Sequence, residues 1–356
     1  QGVADLGRMM HRLKEKGVAL ILVTHKLLEA FGFGDRISVL RLGTVAGNIE
    51  PQRLQRMSEA ERTETVIGMM FGVADAGAVA AQGHEGELAI LVGGKLRRAN
   101  SVDRSKPAKL SARALVTMPD FAETPLHAVS FELWAGEVLG IAGVDGNGQK
   151  HLAEVLAGQR SLRQGRLELA GSNITRGRVP ERRLRGIRYV TDDRLGEGTV
   201  GTFSVATNLV LKEIGALPFW RHGITDWPLI YQSAREQILR NDIRTPSELT
   251  PVGKLSGGNV QKVLLARELD AEANVAILNK PTYGLDLHNQ RLALDRIVAA
   301  AARGVAVIFI STDLDELLEI SDRVGVMFRG SLAGMVENDA AAGGKIRRLM
   351  TGSAAA

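Results

Sequence analysis

The chain has 356 residues and a formal net charge of +5, from 45 basic and 40 acidic side chains; 45% of residues are apolar and 24% charged. That length points to two domains and is enough to bury a full core without covalent staples. Having no cysteine, the chain is excluded from disulfides, thiolate-held zinc, iron–sulfur clusters and thiolate catalysis, and its seven histidines show no pair at metal-ligand spacing. A charge of +5 is too mild to imply nucleic acid. No apolar run approaches the ~18–20 residues that cross a bilayer, and no signal-peptide pattern is present.

In chain order, Leu6, Met9, Met10 and Leu13 fall on one face of a helix predicted over 4–16. Residues 18–23 (VALILV) are apolar throughout and strand-length, which predicts a buried strand. Residues 52–71 read as helical. Residues 72–110 contain GVADAGAVAAQGHEGE and a basic stretch at 95–109; they read as a linker with one candidate strand at 88–92. Beyond them, strands are predicted near 111–117, 128–133, 137–142, 165–170, 187–191, 274–279, 305–311 and 323–328, with a helix starting at 149 and a mainly helical stretch over 205–270. Continuous apolar strands between helices imply an α/β fold with a mainly parallel sheet. The Ala/Gly-rich residues 339–356 read as fraying towards the end.

An internal repeat underlies this order. Residues 17–50 and 304–337 align without a gap over 34 positions, 13 of them identical. Each copy reads as strand, short helix, Asp-Arg pair, second strand and Gly-bearing turn. Far more α/β pattern precedes the second copy than the first, and the first residue is Gln1. The expectation is therefore the tail of one domain (1–71), a linker (72–110), a whole second domain (111–350) and a short tail (351–356).

The strand 137–142 runs into Gly143-Val144-Asp145-Gly146-Asn147-Gly148-Gln149-Lys150 and then a helix. This is the frame of a phosphate-binding loop, in which glycines let backbone N–H groups converge on phosphate at a helix N-terminus. Two side chains depart from it. Gln149 stands where the phosphate-gripping Lys belongs, and Lys150 where the magnesium-binding Ser/Thr belongs. A one-residue shift turns a side chain by about 100° around a helix, so Lys150 is not expected to replace the missing Lys. Taken alone, the frame also suits a strand–helix turn that binds nothing.

Further on stands Lys254-Leu255-Ser256-Gly257-Gly258-Asn259-Val260-Gln261-Lys262-Val263-Leu264-Leu265-Ala266-Arg267. This resembles the signature of ATP-binding-cassette (ABC) ATPases, in which a Ser and two glycines at a helix start face the γ-phosphate held by a partner domain. Val275–Asp286 resembles the same family's next motif, matching at Pro281, Thr282, Gly284, Leu285 and Asp286. The resemblance implies a P-loop fold of ABC type, with a mainly parallel sheet and a helical subdomain, preceded by the tail of a second such domain. It also implies six departures from the active pattern. Asn279 replaces the magnesium-associated Asp, Lys280 the catalytic Glu and Thr312 the switch His; Asp192 falls at the glutamine-loop position; Gln149 and Lys150 complete the set. Lys280 cannot serve as a base toward water without a large fall in its pKa. This nucleotide site, if occupied, is expected not to hydrolyse. In the first copy of the repeat, His25 stands where the second has Thr312 and retains the switch His.

The wording IAGVDGNGQ, YVTDDR and NDIRTPSELTPVGKLSGGNVQKVLLAREL resembles the ATP-binding subunits of bacterial simple-sugar and nucleoside importers, GVDGNGQ and the RTPS segment being closer to the nucleoside branch than to the ribose or xylose branch. The match covers 111–338 with specific motifs and 1–71 as the tail of a first half. The resemblance implies ATP as ligand, with Mg at the first half's site and doubtful at the second. It implies as partners two membrane permease subunits, a substrate-binding protein and the first ABC half or a second copy, with no nucleic acid, and a peripheral place on the cytoplasmic face of the bacterial inner membrane. Ser256, Gly257 and Gly258 would complete the first half's active site, facing the same γ-phosphate as His25. Gly143, Gly146, Asn147, Gly148, Gln149, Lys150, Asp192, Asn279 and Asp286 would surround the second nucleotide, with no metal held by side chains alone. Two other readings stay open: a soluble tandem ABC factor acting on ribosomes, which Asn279 and Lys280 oppose, and an inactive fragment that only binds partners.

Three features remain. Seven arginines at 176, 178, 182, 183, 185, 188 and 194 suit either an anionic surface or a solvated, salt-bridged face. Trp220 and Trp227 suit either a partner contact or core packing of the helical stretch. Phe121 is a candidate for stacking on adenine, or an ordinary core or surface Phe.

Overall fold

The computed structural model describes residues 2–24, 27–41, 43–72, 102–120, 123–221, 223–269 and 272–352. The chain divides into two compact units, Gln1–Leu96 and Arg97–Ala356. The candidate strand at 88–92 and most of the expected linker lie outside the described residues.

The first unit contains α1 (Gly2–Glu15), α2 (Leu27–Phe33), β1 (Ile37–Arg41), β2 (Thr44–Ile49), α3 (Pro51–Arg56) and α4 (Glu59–Phe71). The β1–β2 hairpin is antiparallel and packs on a small core of Leu27, Ile37, Val39, Ile49, Leu54, Val66 and Ile67. The helix expected over 52–71 is two helices, broken at Ser58. That residue caps α4 with a full capping box: its hydroxyl accepts from the Glu61 N–H at 3.3 Å, and the Glu61 carboxylate accepts from the Ser58 N–H at 2.7 Å. One expectation is corrected. Residues 18–23 form no strand; Ile21 is 95% exposed and Val23 91%. A fully apolar strand is stable only between neighbours that hydrogen-bond it and cover both faces. Its counterpart in the second unit has both, and no described residue of the first unit supplies either.

The second unit runs β3 (Leu110–Val116), β4 (Val129–Leu133), β5 (Val138–Ala142), α5 (Gln149–Ala157), β6 (Gln164–Leu169), β7 (Ser172–Asn173), α6 (Val179–Leu184), β8 (Ile187–Val190), α7 (Val205–Leu209), β9 (Trp220–Arg221), β10 (Ile224–Thr225), α8 (Trp227–Arg240), α9 (Gly257–Leu269), β11 (Val275–Asn279), α10 (Leu287–Ala302), β12 (Ala306–Ile310), α11 (Leu314–Ile320), β13 (Arg323–Phe328), β14 (Ser331–Glu337) and α12 (Ala342–Met350). A six-stranded sheet has the order β14-β13-β5-β12-β11-β8, parallel except at β13–β14. A four-stranded antiparallel sheet has the order β4-β3-β6-β7. Strands β5, β11 and β12 are buried at every residue, as their unbroken apolar runs require. Helix α5 packs with both sheets: Leu152, Val155 and Leu156 share a core with Leu110, Leu133, Ile141, Ile277 and Ile308. Each such side chain contributes about 1.5–3 kcal/mol on burial.

The stretch 205–270 is helical, as expected, in α7, α8 and α9, with the small β9–β10 hairpin between them. It has a separate core of Val205, Leu209, Phe219, Ile230, Val260 and Val263. The packed unit reaches back to residue 102, ahead of the boundary expected at 111. Arg104 pairs with Glu337 at 2.7 Å and lies 3.5 Å from the fully buried Glu137, and its guanidinium carbon lies 5.8 Å from the Trp134 ring centroid.

Candidate functional site

The parallel strands end in register. Ile141 of β5 pairs with Ile310 of β12, Ile310 with Asn279 of β11, and Leu278 with Val190 of β8. The residues just beyond them therefore open on one edge: Gly143 onward, Lys280, Thr191–Asp192 and Ser311–Thr312. That carboxyl edge is where open α/β sheets bind ligands.

The loop after β5 keeps the backbone of a phosphate cradle. Gly148 caps α5 at φ 99°, and a Cβ there would lie 3.1 Å from the Thr124 carbonyl oxygen and 3.2 Å from Gly330 Cα. Only glycine meets both demands. Asn147 is structural: its Oδ1 accepts from the Arg329 N–H at 2.7 Å, its Nδ2 donates to the Val144 carbonyl at 2.9 Å, and its own carbonyl accepts from the Gly330 N–H at 3.0 Å. The loop is thereby clamped to the β13–β14 turn. Gly146 accepts at its carbonyl from the Thr124 hydroxyl at 2.5 Å.

Gln149 and Lys150 part company, as their helical offset dictates. Gln149 is 5% exposed and folds back into the loop, its Nε2 donating to the Val144 carbonyl at 3.1 Å. Lys150 reaches sideways to Glu197 at 3.4 Å. Burial pulls the Lys150 ammonium down, but Glu197, Asp192 and Glu154 outweigh it and lift its pKa above the ordinary lysine range. It is a permanent cation at neutral pH.

The acidic positions are rewired. Asn279 is 1% exposed, and its Nδ2 donates to Asp192 at 3.0 Å. Lys280, at φ 46°, turns its ammonium to Asp145 of the loop at 2.6 Å, with Asp192 at 3.8 Å. The Gly148 N–H, which a phosphate would use, donates to Glu123 at 3.2 Å. Nothing among the described residues donates to the buried Gln149 Oε1 or Asn279 Oδ1. Five of the six departures, Gln149, Lys150, Asp192, Asn279 and Lys280, thus form one cluster. Glu123, Asp145 and Glu197 join it, and no sequence motif marked them for that role.

The signature lies apart from this cluster. Ser256 and Gly257 are exposed at the start of α9, and the Ser256 hydroxyl accepts from Asn259 Nδ2 at 2.9 Å. A Cβ on Gly258 would lie 2.8 Å from Asn289 Nδ2. Arg194 links the regions: its guanidinium donates to the Gly257 carbonyl at 3.4 Å and to the Tyr283 carbonyl. Asp286 caps α10, accepting from the Asn289 N–H and side-chain amide at 2.8 Å each. Thr312 is exposed. His25 and Phe121 lie outside the described residues.

The arginine run is partly interior. Arg182 is 2% exposed and donates to the Val155, Leu156, Ile174, Thr175 and Gly177 carbonyls, and Arg183 lies 3.6 Å from the buried Glu268. Arg176, Arg178 and Arg185 are exposed. Trp227 is 45% exposed and stacks on Tyr231 at 5.8 Å between ring centroids.

Magnesium does not fit this site. The expected hydroxyl donor is replaced by the ammonium of Lys150, the expected carboxylate by the uncharged amide of Asn279, and the Lys280 ammonium points into the same loop. Among the described residues no group of three or more His, Cys, Asp or Glu is arranged for a metal. No described helix is long and apolar enough to cross a membrane.

Residues 126–283 match the family profile described as "ABC transporter". This segment of the second unit thus carries an ABC transporter domain, and the fold around it is that of a P-loop ATP-binding cassette. A nucleotide-free ATP-binding cassette from an ABC transporter superposes with a TM-score of 0.57 at 21% identity, covering 69% of this chain and 96% of that one. A dimeric cassette in a post-hydrolysis state bound to ADP and Pi gives 0.55 at 16%, covering 65% and 99%. Among curated relatives, the nucleoside import ATP-binding protein NupA of Lactococcus lactis subsp. cremoris (strain MG1363) is 29% identical over 350 residues, 98% of this chain and 64% of that protein. The ribose import ATP-binding protein RbsA 2 of Burkholderia pseudomallei (strain 1710b) is 34% identical over 332 residues, 93% and 58%. The chain thus spans less than two thirds of the length of these relatives.

Proposed function

We propose that this chain is part of the energy-coupling ATPase subunit of an importer for nucleosides or simple sugars. In this reading residues 1–71 are the end of a first cassette and the second unit is its partner. The two close head-to-tail on nucleotide, and Ser256, Gly257 and Gly258 complete the first cassette's site from across the interface. His25 serves the same γ-phosphate. ATP and Mg belong at that first site, where hydrolysis reopens the pair. Gly143–Gly148 hold a second nucleotide that is not hydrolysed. Two permease subunits receive the motion, a binding protein delivers the substrate, and the subunit lies on the cytoplasmic face of the inner membrane.

The observation that carries this reading is the contrast within one domain. An intact signature turn is exposed at the start of a 13-residue helix, while the same domain's phosphate loop faces Lys280 in place of a catalytic acid. An exposed helix start of this kind is suited to an anion from another domain. The test is Ser256→Arg in the full-length protein reconstituted with its permease. ATPase activity is expected to collapse, and activity at the wild-type level would show that the signature serves no site in trans.

A further inference from the structure

The Lys280–Asp145 pair bears on what the second site can bind. In the cluster at the carboxyl edge of the sheet, each positive group is already engaged by one of the chain's own carboxylates. Lys280 Nζ lies 2.6 Å from Asp145, Lys150 Nζ lies 3.4 Å from Glu197, and the Gly148 N–H donates to Glu123 at 3.2 Å. Those carboxylates mark three receptors for anionic oxygen around one glycine loop. They are also replaceable. The Asp145 side chain is 64% exposed and that of Glu197 36%, so both can turn into water, whereas Lys280 is only 19% exposed and stays.

Once phosphate has displaced Asp145 and Glu197, a divalent cation at this place would face the Lys280 and Lys150 ammonium groups in a partly buried site, where charges interact more strongly than in bulk water. The same groups attract a polyphosphate. We propose that the second site binds a nucleoside di- or triphosphate without a divalent metal, Lys280 and Lys150 supplying the positive charge that magnesium would otherwise bring. In the empty site Asp145, Glu197 and Glu123 occupy these three receptors, and the exposed Asp145 and Glu197 give way to phosphate. This inference rests on the reading of Gly143–Gly148 as a nucleotide holder.

The sequence contains one phosphate-loop frame, so calorimetric titration of the 356-residue chain with ADP and ATP reports on this site. Titrations in EDTA and in excess magnesium are compared. Kd is expected to agree within about twofold between them. Lys280→Met is expected to weaken binding in EDTA about tenfold, the loss of one strong charge-assisted contact. Asp145→Asn, which removes the competing anion, is expected to tighten it; this second variant decides the matter should Lys280→Met fold poorly. Binding that strengthens about tenfold with magnesium, or is indifferent to Lys280→Met and Asp145→Asn, overturns the metal-free site and leaves the nucleotide holder standing. No binding in either buffer overturns the nucleotide holder itself, and this inference with it.

Discussion

Lys280 adopts φ 46°, a region L side chains seldom enter. Its N–H donates to the Ile310 carbonyl at 2.9 Å, which fixes the backbone where β11 ends. The strained turn and the Asp145 pair together point the ammonium into the loop. This geometry predicts the effect of restoring an acid. In Lys280→Glu the new carboxylate would face Asp145 and Asp192, with Gln149, Lys150 and Asn279 unchanged. The variant is expected to gain no measurable ATPase activity and to lose about 1–3 kcal/mol of stability, as usual when a partnered charge is reversed in a partly buried site. Phosphate release and urea unfolding check the two halves, and a large rate gain would mean that the block lies elsewhere.

At the scale of elements, α10 and α11 are joined by one guanidinium and several carboxylates. Arg291 lies 2.9 Å from Glu319 and 3.0 Å from Asp295, and the Glu319 side chain is only 7% exposed. Glu316 nearby accepts from Thr282, Gln290 and Ser311. Burial pushes the Glu319 carboxyl up to about 7, against the pull of Arg291 and helped by Asp295 and Glu316. A carboxyl raised in the folded state keeps a proton that the unfolded chain has released. Stability therefore falls as pH rises from the ordinary carboxylate range to about 7, and the loss is complete above it. Glu319→Gln is expected to flatten that part of the curve in urea titrations at several pH values; an unchanged slope would assign it to other groups.

At the scale of the molecule, the two units have separate cores of unequal quality. Among the described residues the second has a dense one spanning two sheets and a helix, while the first has seven buried apolar residues, with Ile21 and Val23 exposed. A fragment of residues 102–352 is expected to unfold cooperatively, with a Tm within about 2–4 °C of the same transition in the whole chain, the shift that 1 kcal/mol represents at this size. Residues 1–72 alone are expected to show no cooperative transition by circular dichroism. A sharp transition there would show that this small core suffices by itself.

What the sequence alone determined was local. The strand–loop–helix around Gly143–Gly148, the signature turn and the buried strands are each written in neighbouring residues, by apolar runs, glycine positions and helix starts. Pairing between distant residues came from the folded chain. Lys280 meets Asp145, Lys150 meets Glu197, and Glu123 takes the Gly148 N–H across separations that no spacing rule covers. Arg194 reaches the signature and Tyr283 for the same reason, and Asp286, legible as part of a motif, caps α10. The repeat made 18–23 and 305–310 look alike, yet only 306–310 is a strand. A helix satisfies its own hydrogen bonds, whereas a strand depends on neighbours supplied elsewhere in the chain.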